Sequence, residues 1–418
     1  MKWNKTYLKK SVLILVIGLI LAGFMIFLSN RMPISSRRSF KQNEFTVLNR
    51  TNFNFTVVPI DLDEINRIHP IGHLTPLGHL FPSDHIYLEY ENQSKRIPVY
   101  MPADGVVTYI RKDDETSYMM EMRFASNNLM VVYGHLSSIN ETLFGSIDND
   151  INLNKYMEAG TVIGTGGGPN STSACLDFTL IDYNVYLTGF IHPEIYGNLV
   201  HIVCPISYYN EPLKQQLIDK IWWDGIGPPN CGRIDYDQPG KLVGNWFLKS
   251  WNGDFMESWE ITEQYLLSFV YYNTNTSKIH LGIGAHLLNK GYNESIVCFV
   301  EGDRPDPANV TVETGKIIYH LILDSIPQVN LNQTMLVQLI SEEELKVEIF
   351  NGTYAADEIE FTSKAEIYFR GVSSQPAHNI SWDSFILIIL LIEIIGISTI
   401  LKKTNTESHV TRWSKAIS

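Results

Sequence analysis

Two long apolar runs bracket the chain and constrain everything between them. Residues 11–28 (SVLILVIGLILAGFMIFL) carry no charge, and residues 385–401 (FILIILLIEIIGISTIL) carry one, Glu393. Each approaches the ~20 residues that a helix needs to cross a hydrocarbon core. The first run is long for a signal peptide, and no small-x-small cleavage site follows it, so it reads as an uncleaved anchor. Lys2, Lys5, Lys9 and Lys10 precede the first run, and Lys402, Lys403, Arg412 and Lys415 follow the second. This bias predicts two spans of a plasma membrane, with both termini cytoplasmic and residues 29–383 outside. Arg31, Arg37, Arg38 and Lys41 blur the rule for the first span. Glu393 is costly in a membrane centre, and a contact between the two helices is its simplest use.

Two features agree with an external middle. Asn-x-Ser/Thr occurs eleven times between the two runs, at Asn49, Asn54, Asn92, Asn140, Asn170, Asn275, Asn293, Asn309, Asn332, Asn351 and Asn379, and once before the first, at Asn4. That concentration suggests a glycosylated surface protein. The four cysteines, Cys175, Cys204, Cys231 and Cys298, lie in the same region, where disulfides can form. They allow three full pairings; Cys204 with Cys231 is the nearest plausible pair, and four unpaired buried thiols are the alternative. A net charge of -13, with no basic stripe, argues against a nucleic-acid partner.

Short alternating runs fill the middle: RIPVYMPA, GVVTYIRK, YMMEMRFA, LMVVYGHL and CLDFTLID, then a second series from about residue 241 to 371. Period-two alternation broken by turn residues predicts a mainly β protein. One amphipathic helix is expected at 213–223, followed by a Gly/Pro-rich link. The expected order is a cytoplasmic tail (1–10), a span (11–28), a stalk (29–55), a β domain with a C-terminal helix (56–225), a linker (226–240), a β-barrel or sandwich (241–372), a span (384–401) and a cytoplasmic tail (402–418).

Four pieces in the first β domain carry candidate chemistry. His85 and Glu89 form a His-x-x-x-Glu. Asp104 follows in PVYMPADGVV, His135 in VYGHLS, and Cys175-Leu-Asp177 after AGTVIGTGG. Each has a plain structural use, as a solvated strand residue, a loop acid or a satisfied strand-end histidine. His69, His73 and His79 lie upstream, and His79 leaves the register of the first motif open. The glycine run lacks the Gly-Lys-Ser/Thr of a P-loop.

In order and framework these pieces resemble the lysostaphin-type (LytM-like) zinc metallopeptidases, over about residues 70 to 195. The resemblance implies a β-sheet peptidase fold. It places the metal ligands at His85, Glu89 and Asp177, and the catalytic pair at His135 and Cys175. Three of those five positions depart from the family: Glu89 stands for Asp, while Asp177 and Cys175 each stand for His. A His/Glu/Asp set is harder than the family's own, so it would hold zinc less selectively and favour Mn, Mg or Ca. Loss of the imidazole at Cys175 removes a group worth roughly 10²–10⁴ in rate. The implied protein is a degenerate metallopeptidase homologue that binds a cell-envelope peptide, glycan or surface protein, with one divalent metal or none. The rival is an active hydrolase on the altered site, and a third reading is a surface protein with no site. In the second β domain Gly244-Asn245-Trp246 resembles the first strand of lipocalin-like barrels, whose Trp closes one end; an interaction, small-ligand or spacer role is expected there.

Overall fold

The computed structural model describes residues 53–75, 79–125, 128–251, 263–288, 295–302, 304–324 and 330–371. Both apolar runs lie outside these residues. Among the described residues no helix is long and apolar enough to cross a membrane.

The chain is mainly β. Ten strands come first: β1 (Ile65–His69), β2 (Ile86–Tyr90), β3 (Arg96–Tyr100), β4 (Gly105–Asp114), β5 (Ser117–Phe124), β6 (Leu129–Leu136), β7 (Ser138–Ile139), β8 (Ile151–Met157), β9 (Val162–Gly167) and β10 (Cys175–Asp182). Seven make one sheet in the order β1-β2-β10-β6-β5-β4-β8, and β3-β9-β7 make a second. The alternation read in sequence becomes burial here: Leu176, Phe178 and Leu180 are buried, and so are Met120, Met122 and Phe124. The core reaches into the expected stalk. Phe55 is buried and packs against Phe124, Phe178 and Tyr209 at 5.9, 5.7 and 5.4 Å.

The expected helix over 213–223 is shorter, Leu213–Ile218. Beyond it the backbone is used otherwise. Ile68 N–H donates to Lys220 O and Trp222 N–H to Ile68 O, each at 2.8 Å, so this stretch lies along β1. Pairing with an edge strand overrides the amphipathic pattern. The Gly/Pro-rich link is likewise sewn down: Cys204 and Cys231 form a disulfide, and Gly232 bridges Ile71. Cys175 and Cys298 are free thiols.

Eight strands follow: β11 (Gly244–Leu248), β12 (Leu266–Tyr272), β13 (Asn275–Ile283), β14 (Ile296–Val300), β15 (Ile317–Leu323), β16 (Asn330–Leu339), β17 (Glu344–Asn351) and β18 (Glu366–Phe369). Each pairs with the next, and β18 pairs back with β11 to close a barrel. Eight strands enclose just enough space for side chains to fill. Phe269 on β12 meets Tyr319 on β15, two strands beyond its ladder neighbour, at 6.0 Å.

Trp246, on the first barrel strand, is fully buried. The Arg370 guanidinium lies 3.7 Å over its ring and donates to Asp237 Oδ1 (3.2 Å) and Val243 O (2.7 Å). Arg370 and Asp237 have 0% side-chain exposure. Gly244 is required between them. Its φ is +115°, and a Cβ there would sit 2.1 Å from Asp237 Oδ1 and 2.6 Å from Arg370 Nη1. That close approach is the physical content of the Gly-x-Trp motif.

Removing one partner of a fully buried pair strands the other's charge away from water. Asp237→Ala is expected to lower the unfolding free energy by about 3–5 kcal/mol in denaturant titration. Changing Asp237→Leu and Arg370→Met together, which removes both charges, is expected to cost less than the single change.

Candidate functional site

β2, β10 and β6 lie side by side, so three separate sequence motifs meet on one face. In register, Asp177 faces Tyr87 of β2 and Gly134 of β6, and Cys175 faces Glu89. Side chains two apart share a face of a strand, which aligns Cys175 with Asp177 and sets Tyr87 between positions 85 and 89.

Asp177 is the hub. Its Oδ2 lies 3.3 Å from His135 Nε2 and 3.6 Å from His85 Nε2, the second an ion-pair distance too long for a hydrogen bond. The other ring nitrogen of His85 is 2.7 Å from Asp84 Oδ1. Burial opposes a charge on His85, but the Asp177 and Asp84 carboxylates outweigh it and lift its pKa to about 9. At neutral pH His85 is therefore an imidazolium between two carboxylates. His135 is 45% exposed and sits at φ +62°, a left-handed conformation that few non-glycine residues adopt. Such strain persists where the surroundings over-determine it, often at functional sites. Gly134 makes room for the hub, because a Cβ there would meet Asp177 Oδ2 at 2.8 Å.

The Cys175 thiol is 3.8 Å from Asp177 Oδ1. Burial, and then the Asp177 charge, push its pKa far above the ordinary thiol value, so it stays protonated and is no nucleophile.

Glu89 is turned to other partners. Its Oε2 takes Arg67 Nε at 2.5 Å and His69 Nε2 at 3.0 Å, and its Oε1 takes Asn66 Nδ2 at 3.3 Å. Partial burial opposes its charge, yet Arg67 and His69 hold its pKa below the usual value. Tyr87 stands between the two ends of the His-x-x-x-Glu motif, its ring edge-on to His85 at 4.6 Å between centroids. The structure thus brings His85, His135, Asp177 and Cys175 together and commits Glu89 to β1. This arrangement does not fit a zinc ion on His85, Glu89 and Asp177. Glu89 would have to leave Arg67 and His69 to reach it. Among the described residues no group of three or more His, Cys, Asp or Glu is set to hold a metal ion.

The β-barrel expected over 241–372 is present, but sequence reasoning gave no role in the site to Asp84, Tyr87, Gly134 or Arg67 and did not foresee that the barrel reaches it. The barrel builds one wall of the site, because the segment before His85 is clamped to the outside of β12 and β13. Ser268 Oγ donates to Leu80 O (2.8 Å), Leu80 N–H to Glu263 Oε1 (2.9 Å) and Asn273 Nδ2 to Pro70 O (2.8 Å). Gly282 lets the backbones meet, since a Cβ there would lie 2.5 Å from Leu80 O. The upstream histidines belong to this wall. Burial lowers His73 to about 4 and His79 to about 3, so both are neutral.

No protein-family model matches the chain, and no characterised protein matches it in sequence. Solved structures do resemble it in part. The catalytic domain of the antimicrobial peptidase lysostaphin from Staphylococcus simulans is 17% identical over 29% of this chain and 84% of its own, with a TM-score of 0.23. Whole lysostaphin is 11% identical over 77% and 92%, with a TM-score of 0.27. Csd3 from Helicobacter pylori is 15% identical over 38% of this chain, with a TM-score of 0.25. The match spans about a third of Csd3, 35% of its chain.

Two outcomes test this geometry. The folded pKa of His85 lies above its unfolded value of about 6.5, so its stabilisation is complete below that pH and is lost as pH rises through about 9. His73 works in the opposite sense: its folded pKa is depressed, so stability falls as pH drops from about 6.5 through about 4. Denaturant midpoints against pH should peak near neutrality, and His85→Gln should flatten the alkaline limb alone. Gly282→Val should cost about 1–3 kcal/mol through overpacking and speed amide exchange in residues 79–85, with the far strands β4 and β8 unchanged.

Proposed function

We propose that this is a membrane-anchored protein of the cell surface whose first domain is a non-catalytic recognition module for a cell-envelope peptide or glycan. The observation that carries the reading is the state of Glu89. The carboxylate that would complete a metal site is bonded to Arg67 and His69. Tyr87 supports it, because its ring lies against His85 within the motif. Cys175 supports it too, because a protonated, half-buried thiol cannot replace a catalytic imidazole. The groove retains polar recognition groups: a half-exposed His135, oriented by Asp177, beside the His85 imidazolium. The lysostaphin and Csd3 likenesses are in keeping with an envelope ligand, and the anchors rest on residues 11–28 and 385–401 of the sequence.

A second reading keeps the site active as a metal-dependent hydrolase on His85, Glu89 and Asp177, with His135 as acid/base. The strained His135 paired to a carboxylate is the observation in its favour. Elemental analysis of the full chain beside Glu89→Ala/Asp177→Ala separates the two. The recognition reading expects well under one metal per chain in both proteins, no cleavage of envelope peptides, and weaker envelope binding in His135→Ala. About one metal per chain, lost in the double variant and accompanied by peptide cleavage, would establish the hydrolase instead.

A further inference from the structure

Neither the cleft nor the barrel uses the Asn-x-Ser/Thr triplets. The 31 asparagines and 56 serines and threonines among 418 residues would give about four such triplets at random, and the chain has twelve, eleven of them between the apolar runs. Eight fall on described residues, and the structure sorts them by exposure. Asn92, Asn170, Asn309, Asn332 and Asn351 are exposed. Asn140 and Asn275 are half-buried, and their Nδ2 groups donate to the protein's own backbone, at Val162 O (2.8 Å) and Asp224 O (3.2 Å). Asn54 is half-buried between Phe53 and Phe55, whose rings meet at 5.3 Å. Asn332 backs onto the turn that carries Asn351: Gly352 N–H donates to Asn332 O (2.6 Å), and Thr353 Oγ1 to Asn332 Oδ1 (3.2 Å). Asn351 Oδ1 in turn accepts from Gln333 Nε2 (3.3 Å).

Two further observations bear on attachment. The Cys204–Cys231 disulfide belongs to an oxidising compartment, the side of a membrane on which such chains acquire sugars. The Asn92 and Asn170 turns are also tied together, with Gly168 N–H donating to Gln93 O (2.8 Å) and Gln93 Nε2 to Ser171 O (3.2 Å). They stand on one rim, at the end of the sheet where Tyr90 N–H donates to Ala174 O (2.9 Å).

We infer that the protein carries N-linked glycans on Asn92, Asn170, Asn309 and Asn351, and none on Asn140 or Asn275. The donor is a sugar activated by a lipid-linked diphosphate. The asparagine Nδ2 forms a bond to the anomeric carbon, the bond from that carbon to the diphosphate oxygen breaks, and one amide proton passes to solvent. A bulky hydrophilic chain then projects into water at no packing cost from these four positions. At Asn140 and Asn275 it would displace a backbone contact. This inference rests on the external placement of residues 29–383.

The test is site mapping on the full chain isolated from the cells that make it. An amidase that converts glycosylated Asn to Asp, used in heavy-oxygen water, marks each former attachment point for peptide mass spectrometry. Label is expected at Asn92, Asn170, Asn309 and Asn351 and absent from Asn140 and Asn275. The same intact cells are treated with a membrane-impermeant amine label, and the Cys204–Cys231 bond is mapped. A labelled, disulfide-bonded chain with bare asparagines, or with label only at Asn140 and Asn275, overturns the glycan assignment and leaves the external placement standing. A chain that the impermeant label cannot reach overturns both.

Discussion

A guanidinium with no access to water holds the second half of the molecule together. Arg370 follows the last barrel strand, Asp237 comes from the strap that precedes the barrel, and Trp246 lies on the first strand. The residue after the last strand meets the start of the barrel there. A buried ion pair is weak evidence for stability as such, since an apolar replacement of equal shape often does as well. Its value here is specification. It joins the two ends of the barrel segment, and it forces a glycine at position 244.

The closed barrel in turn fixes the cleft. Its outer wall, through Ser268, Asn273 and the bare backbone at Gly282, holds the segment that ends in Asp84 and His85. The cleft is therefore built from three sources: strands β2, β6 and β10, the edge strand β1 that takes Glu89, and a neighbouring barrel that sets the height of the loop. A resemblance confined to the first domain describes only the first of these.

Much of this was legible in the sequence, for physical reasons. Period-two alternation marks strands that bury one face, and the runs around Met120, Val131 and Phe178 became strands of the main sheet. The spacing of Cys175 and Asp177 placed both on one face, and three of the five candidate residues, His85, His135 and Asp177, meet at ion-pair distance. Glu89 could not be placed from sequence, because its fate depends on Arg67 and His69 from a strand whose pairing is non-local. The helix over 213–223 was overestimated because local periodicity cannot show that Lys220 and Trp222 lend their backbones to β1. The barrel's hold on Pro70 and Leu80 left no mark beyond Gly282 in KIHLGIGAHL.

The strap between the halves has the composition of a hinge, GIGPPNCG, and an enzyme that seeks exposed, glycine-rich chain would find Ile226 almost wholly exposed there. That site lies inside the covalent loop closed by Cys204 and Cys231. A cut there would separate nothing. The two halves would stay joined through sulfur and part only when the bond is reduced, so a nicked chain would still migrate as one molecule until a thiol reached it.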